Sequence, residues 1–216
     1  MRSLGPGDLL FIAESARWTL LLSAIAFAGG VVLGLLVALA RTSESRALRY
    51  PAMGYIRVIQ GTPLLMQLFL AFFGPNIIGI SVNPWAAAAI GLVVNASAFL
   101  GEIWRGCIEA VPRGQWEAAT ALGLHYWKRM RFVILPQALR VAIPPTVGFL
   151  VQLIKATSLA SIIGFVELTR AAQVVNNATF RPFLLFGVVA VLYFAMCWPL
   201  SLYSRHMERR LGQAAR

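Results

Sequence analysis

Five apolar runs, each about as long as a bilayer core is thick, constrain this chain more than any other feature. They cover residues 18–40, 52–74, 85–104, 138–166 and 183–203. A hydrocarbon layer of about 30 Å takes about 20 residues of helix, and a backbone in lipid must satisfy its own hydrogen bonds. The expectation is an all-α membrane protein, one domain over residues 1–216, with a polar loop at 105–137. Composition agrees: 59% of residues are hydrophobic and 12% charged, against about 25% charged in an ordinary soluble domain.

The charge of +11 would suggest nucleic acid in a soluble protein, but the basic residues follow topology instead. Arg41, Arg46, Arg49 and Arg57 fall on one side, joined by Arg105, Arg113, Lys128, Arg129, Arg131 and Arg140, then by Arg205, Arg209, Arg210 and Arg216. The opposite segments hold Arg2, Arg17, Arg170 and Arg181. The positive-inside rule therefore predicts five spans, an outer N-terminus and a cytoplasmic C-terminus, with membrane lipid rather than nucleic acid facing the cations. Ala38-Leu39-Ala40 has the look of a signal-peptidase site, yet the run before it exceeds a signal h-region, so a retained helix is expected. Cys107 and Cys197 lie in no metal or redox spacing and read as packing residues.

The 105–137 loop is too long for a turn. Pro112 and Gly123 bracket a short helix over about 113–122, with Trp116, Ala119 and Thr120 on one face. Tyr126, Trp127, Lys128, Arg129 and Arg131 then form a cluster suited to the headgroup level. Alone, these features fit either a helix lying on the headgroups or one that docks a partner.

Polar residues inside the runs include Thr62, Gln67, Asn95, Ser97, Glu102, Gln152, Lys155 and Ser158. Such groups either line a path or tie helices together by hydrogen bonds. A charged Lys155 in mid-bilayer would cost about 2.5–3.5 kcal/mol, so it is expected to be paired, snorkelling or near a surface. The stretch 157–163 is compatible with a continuous or a broken helix. Catalytic and metal sites are not expected. The only aspartate is Asp8, both histidines (His125 and His206) lie outside the spans, and neither Lys128 nor Lys155 belongs to a phosphate-binding loop.

Gly114-Gln115-Trp116-Glu117-Ala118-Ala119-Thr120-Ala121-Leu122-Gly123, followed by Leu135-Pro136, is similar to the "EAA" loop of binding-protein-dependent ABC importer permeases. Gly61-Thr62-Pro63, Glu102-Ile103-Trp104-Arg105 and Ile154-Lys155-Ala156-Thr157-Ser158 resemble the polar amino-acid branch, although Gln60 and Ala156 stand where that branch often carries a basic and an acidic or amide residue. The resemblance implies a type I permease fold in the bacterial inner membrane and no enzymatic activity in this chain. It implies alternating-access import of polar amino acids; alternatives are methionine or another small solute, or an ATPase-independent carrier or channel. Implied partners are ABC ATPase subunits carrying ATP and Mg, a second permease subunit and an extracytoplasmic solute-binding protein. Gly114, Trp116, Glu117, Ala118, Ala119 and Gly123 would couple to the ATPase, with Trp116 as an anchor. Thr62, Gln67, Asn95, Ser97 and Glu167 would contact the amino acid.

Overall fold

The computed structural model describes residues 3–214, so Arg2 and Arg216 lie outside the described residues. Nine α-helices are present there, and no strand: α1 (Pro6–Thr42), α2 (Arg46–Gly61), α3 (Leu64–Phe73), α4 (Pro84–Glu109), α5 (Arg113–Ala121), α6 (Tyr126–Arg129), α7 (Leu135–Ala156), α8 (Leu168–Thr179) and α9 (Pro182–Ala214). Four rods are long and apolar enough to cross a membrane, and the bent α2–α3 pair makes a fifth candidate.

Several boundaries differ from expectation, each for a local reason. The first helix starts at Pro6, not residue 18, because Pro6 supplies a helix-ready first turn and the Asp8 carboxylate accepts the Gly5 N–H at 3.0 Å. At 37 residues it is about 55 Å long, more than the hydrocarbon core requires. The 85–104 run extends to Pro84–Glu109, capped by Asn83, which accepts the Trp85 N–H at 2.9 Å. The 105–137 loop is correspondingly shorter: Arg105 belongs to α4, and helix resumes at Tyr126, passing through a π-helical turn at Met130–Ile134 into α7. The 138–166 run leaves the α-conformation at Ala156 and tightens into a 3-10 helix, Thr157–Ile163, so this stretch is broken in type. The last helix continues far past residue 203.

The 52–74 run is not one helix. α2 and α3 meet at 101°, with Pro63 between them. Proline has no N–H for the Ile59 carbonyl and disfavours α-conformation in the residue before it; Thr62 is accordingly extended, at φ −110° and ψ 139°.

α1 and α4 form the central pair through small residues. A Cβ on Gly30 would lie 2.6 Å from the Ala96 Cβ, and one on Gly34 3.1 Å from the Ser97 carbonyl oxygen, so glycine lets the backbones touch. Around this seam Leu22, Ala26, Leu68, Leu92, Leu100, Phe149 and Leu153 form one core. Gly30→Leu should force the pair apart at a cost of about 1–3 kcal/mol or more. Detergent melting should show a clear fall in midpoint; an unchanged midpoint would contradict the tight seam.

α8 was not expected from the sequence. Its apolar residues Leu168, Ala171, Ala172 and Val175 pack on Ile12, Leu185 and Val189. Their i, i+3, i+4, i+7 spacing is a helix signal, but 12 residues are too few to span. At the opposite end, Ala38, Ile108, Val111, Met130, Ile134 and Ala138 gather beneath α5. The Tyr126 hydroxyl donates to Thr42 O there (3.3 Å), so the basic residues near the α1, α4 and α6 termini share one end of the bundle. Cys107 and Cys197 are buried and unpaired with each other.

Candidate functional site

The α2–α3 break generates the site. The Ile59 carbonyl, which Pro63 deprives of its helical N–H donor, accepts instead from Gln67 Nε2 at 2.7 Å and from Thr62 Oγ1 at 3.3 Å. The same nitrogen lies 3.1 Å from both Thr62 O and Thr62 Oγ1. Gln67 Oε1 then accepts from Asn95 Nδ2 at 3.1 Å, linking the break to α4. In lipid, exposed peptide groups need such substitutes, which is why an amide sits four residues after Pro63.

This network borders a cavity of about 230 Å³ lined by Thr62, Leu64, Asn95, Phe99, Phe149, Gln152, Leu153 and Ala156. Among the described residues the Asn95 side-chain oxygen has no hydrogen-bond donor and the Gln152 amide has no partner. An oxygen acceptor and an amide therefore border one small space, suited to an ammonium and a carboxylate. Phe99 and Phe149, both in its lining, stack on each other with ring centroids 5.8 Å apart and planes inclined by 17°. Phe99 also lines a second cavity, of about 420 Å³, with Gln60, Glu102, Arg105, Val141 and Pro145. There Arg105 donates to Glu102 at 2.6 Å and pairs with Glu109.

Of the five residues expected to meet substrate, the fold brings Thr62, Gln67 and Asn95 together. Ser97 is fully buried, and its hydroxyl lies 2.6 Å from Tyr55 Oη, joining α4 to α2 rather than lining the cavity. Glu167 is also fully enclosed and caps α8. Its oxygens accept from Thr169 N (2.9 Å), Arg170 N (2.9 Å) and the Tyr193 hydroxyl (2.9 Å). Burial pushes this carboxyl above its ordinary range, while the two backbone N–H groups and Tyr193 pull it partly back. The next N–H, of Leu168, is taken by Thr19 Oγ1 at 3.2 Å. Glu167 thus closes a helix start about 20 Å along α1 from Pro6.

Glu167→Ala should lose an N-cap and leave the Tyr193 hydroxyl without its carboxylate, together about 2 kcal/mol. That corresponds to a melting point lower by roughly 4–8 °C, with uptake per folded molecule retained. Reduced uptake at an unchanged melting point would instead put Glu167 in contact with the solute.

Lys155 is neither in the cavity nor buried. It lies in a groove against α9 with Tyr193, Phe194, Trp198 and Arg205. Phe99 and Phe149 were not singled out in the sequence, where nothing distinguishes them from other apolar residues of their helices.

The second surface of interest is α5. It ends as expected at Gly123, whose φ of +73° favours glycine. Gly123 N–H donates to Thr120 O (2.9 Å) and Leu124 N–H to Ala119 O (3.1 Å), a Schellman closure. Gly114, Glu117, Ala118 and Ala121 are exposed on one face, at i, i+3, i+4, i+7. Ala119 is buried, and Trp116 is half-buried beneath Arg129, turned toward the bundle. The expected aromatic anchor thus holds α5 to its own chain, and a small-residue face around one carboxylate points away.

A multi-helix membrane protein with a broken helix, a small cavity carrying two amide groups in an otherwise mainly apolar lining, and an exposed short helix at its basic end has the features of a transport subunit. The chain belongs to the family of inner membrane components of binding-protein-dependent transport systems, whose pattern matches residues 30–213. It is 39% identical over 200 residues to a probable amino-acid ABC transporter permease protein of Bacillus subtilis strain 168, covering 93% of this chain and 88% of that one. It is 37% identical over 202 residues to the glutamine transport system permease protein of Escherichia coli strain K12, covering 93% and 92%. A crystal structure of an amino acid ABC transporter with histidines superposes with a TM-score of 0.88 at 34% identity, over 97% of this chain and all of that one. An inward-facing methionine ABC transporter shares the fold, with a TM-score of 0.75 at 19% identity over 96% and 99%.

Proposed function

We propose that this chain is the transmembrane subunit of an ATP-driven importer of polar amino acids in the bacterial inner membrane, with five spans, the N-terminus outside and the C-terminus in the cytoplasm. The observation that carries the solute class is the 230 Å³ cavity, which joins an unpartnered amide oxygen to a second amide beside a helix break. Drug-sized ligands take about 300–1,000 Å³, so this space suits a smaller polar molecule. Thr62 and Gln67 hold the break, Asn95 and Gln152 meet the solute's charged ends, Ser97 ties α4 to α2, and Glu167 closes the start of α8.

In this reading α5 docks on a separate ATPase subunit that carries ATP and Mg, and Gly114, Glu117 and Ala118 supply the contact. A second permease copy or close homologue and an extracytoplasmic solute-binding protein complete the assembly. Alternating access then exposes this cavity to either side, biased by whichever state binds the solute and the ATPase more tightly. Methionine has weaker support, since that likeness extends to the fold alone.

The test is purification of the tagged protein from its native membrane in mild detergent, mass spectrometry of its companions, and reconstitution with labelled L-glutamine, L-cystine, L-histidine and L-methionine. A co-purifying ATPase and ATP-driven uptake of a polar amino acid are expected. Uptake without any ATPase would favour the autonomous carrier.

A further inference from the structure

Arg129 stands apart from its neighbours in the aromatic and basic segment. Trp127 and Lys128 are exposed, whereas the Arg129 side chain is only 14% exposed and turned into the protein. One guanidinium nitrogen donates to Thr120 Oγ1 of α5 at 2.9 Å, and the other to Glu44 Oε1 in the α1–α2 turn at 2.7 Å. The guanidinium carbon lies 5.5 Å from the Trp116 ring centroid and 5.9 Å from that of Tyr126. A planar fork with two separated donors and two faces suits such a junction, which the single ammonium of lysine does not reproduce.

The elements joined there lead to two of the cavity's walls, the Thr62 break and α7, while α4 supplies Asn95 and Phe99 independently. From Glu44 the chain runs through α2 to Thr62 at the break, and from Arg129 it runs through the π-helical turn and α7 to Phe149 and Gln152. Besides Arg129, a 3.2 Å hydrogen bond from Gln137 Nε2 to Gln115 Oε1 ties α5 to α7.

We propose that Arg129 is a positioning residue for energy coupling, clamping α5 to the α1–α2 turn and to the base of α7 so that displacement of α5 moves the Thr62 break and the α7 wall of the solute cavity together. This rests on the importer reading and adds to it the residue through which the chain's own helices receive the motion. Glu44 and Thr120 are its two hydrogen-bonded partners, and Trp116 is the surface that keeps its plane in place.

The experiment uses the complete transporter purified with its ATPase, reconstituted with the labelled amino acid that the wild type carries. Solute moved per ATP hydrolysed is compared for wild type, Arg129→Met, Arg129→Lys, Thr120→Val and Glu44→Gln. Arg129→Met is expected to lower that ratio at least tenfold, Arg129→Lys to restore it in part, and the two partner variants each to lower it severalfold. A residue serving stability alone would reduce the yield of assembled complex and leave the ratio in the survivors unchanged, and that result overturns the proposal. Should Arg129→Met fail to assemble, an unchanged ratio in both Thr120→Val and Glu44→Gln overturns it equally. A wild-type complex with no ATP-driven uptake removes the importer reading, and this proposal with it, before any variant is compared.

Discussion

Glu117→Arg should abolish ATP-driven uptake while leaving membrane insertion and the melting point as they are. Glu117 is exposed on the outer face of α5 and has no ion-pair partner among the described residues, so the reversal disturbs nothing within the chain. Its neighbours on that face, Gly114, Ala118 and Ala121, are small enough to let a partner's surface approach the backbone closely. An added arginine introduces a long side chain into that close fit and a like charge against whatever basic group meets Glu117. Like-charge juxtaposition at an interface costs several kcal/mol, and 1.4 kcal/mol is tenfold in affinity, so uptake should fall by at least about 100-fold, to the background of the assay. The check pairs uptake in proteoliposomes with pull-down of the ATPase. Normal uptake by the variant would mean that α5 does not dock through this face.

Gln67→Leu should have the second-largest effect, on stability and uptake together. Leucine has similar bulk but cannot bond to the Ile59 and Thr62 carbonyls, and it leaves Asn95 Nδ2 without its acceptor. Unmet buried polar groups cost about 1–3 kcal/mol each in water-soluble proteins and less between membrane helices, so a total of about 2–5 kcal/mol is expected. Because the same amide shapes the α2–α3 break, uptake per folded molecule should also drop at least tenfold. Gln67→Glu separates the two bonding roles: it keeps an acceptor for Asn95 and removes the donor for the broken ladder. A melting shift with undiminished uptake in Gln67→Leu would reduce Gln67 to a packing role.

Which residues the sequence displayed plainly depends on how far apart their partners lie. The short helix ending at Gly123 was legible because its brackets, Pro112 and Gly123, act through local backbone geometry. Thr62, Gln67 and Asn95 were legible as polar residues in apolar runs, although whether they lined a path or tied helices together was not; Gln67 ties, while Asn95 both ties and faces the cavity. Trp116 and Glu167 show the limit. An aromatic on an amphipathic helix and a carboxylate near a span end both look available for partners, yet Arg129 covers the first and Tyr193 with two backbone N–H groups encloses the second. Ser97 found Tyr55, 42 positions away, by the same kind of distant pairing.

By itself the sequence determined that the chain is helical and lies in a membrane, with its cations gathered in the segments of one side, because bilayer thickness and the cost of unbonded peptide groups act on any run of about 20 apolar residues. It also marked the two ends of the short helix between Pro112 and Gly123, since proline and glycine act within a few residues of themselves, but not the start of α1 at Pro6, the break at Pro63 or α8. Only the tertiary structure decided that residues 52–74 turn through 101° rather than cross straight, that α1 and α4 touch through Gly30 and Gly34, and that one arginine joins α5 to the α1–α2 turn. Those outcomes depend on which faces meet across tens of residues, and no local preference of the chain encodes that meeting.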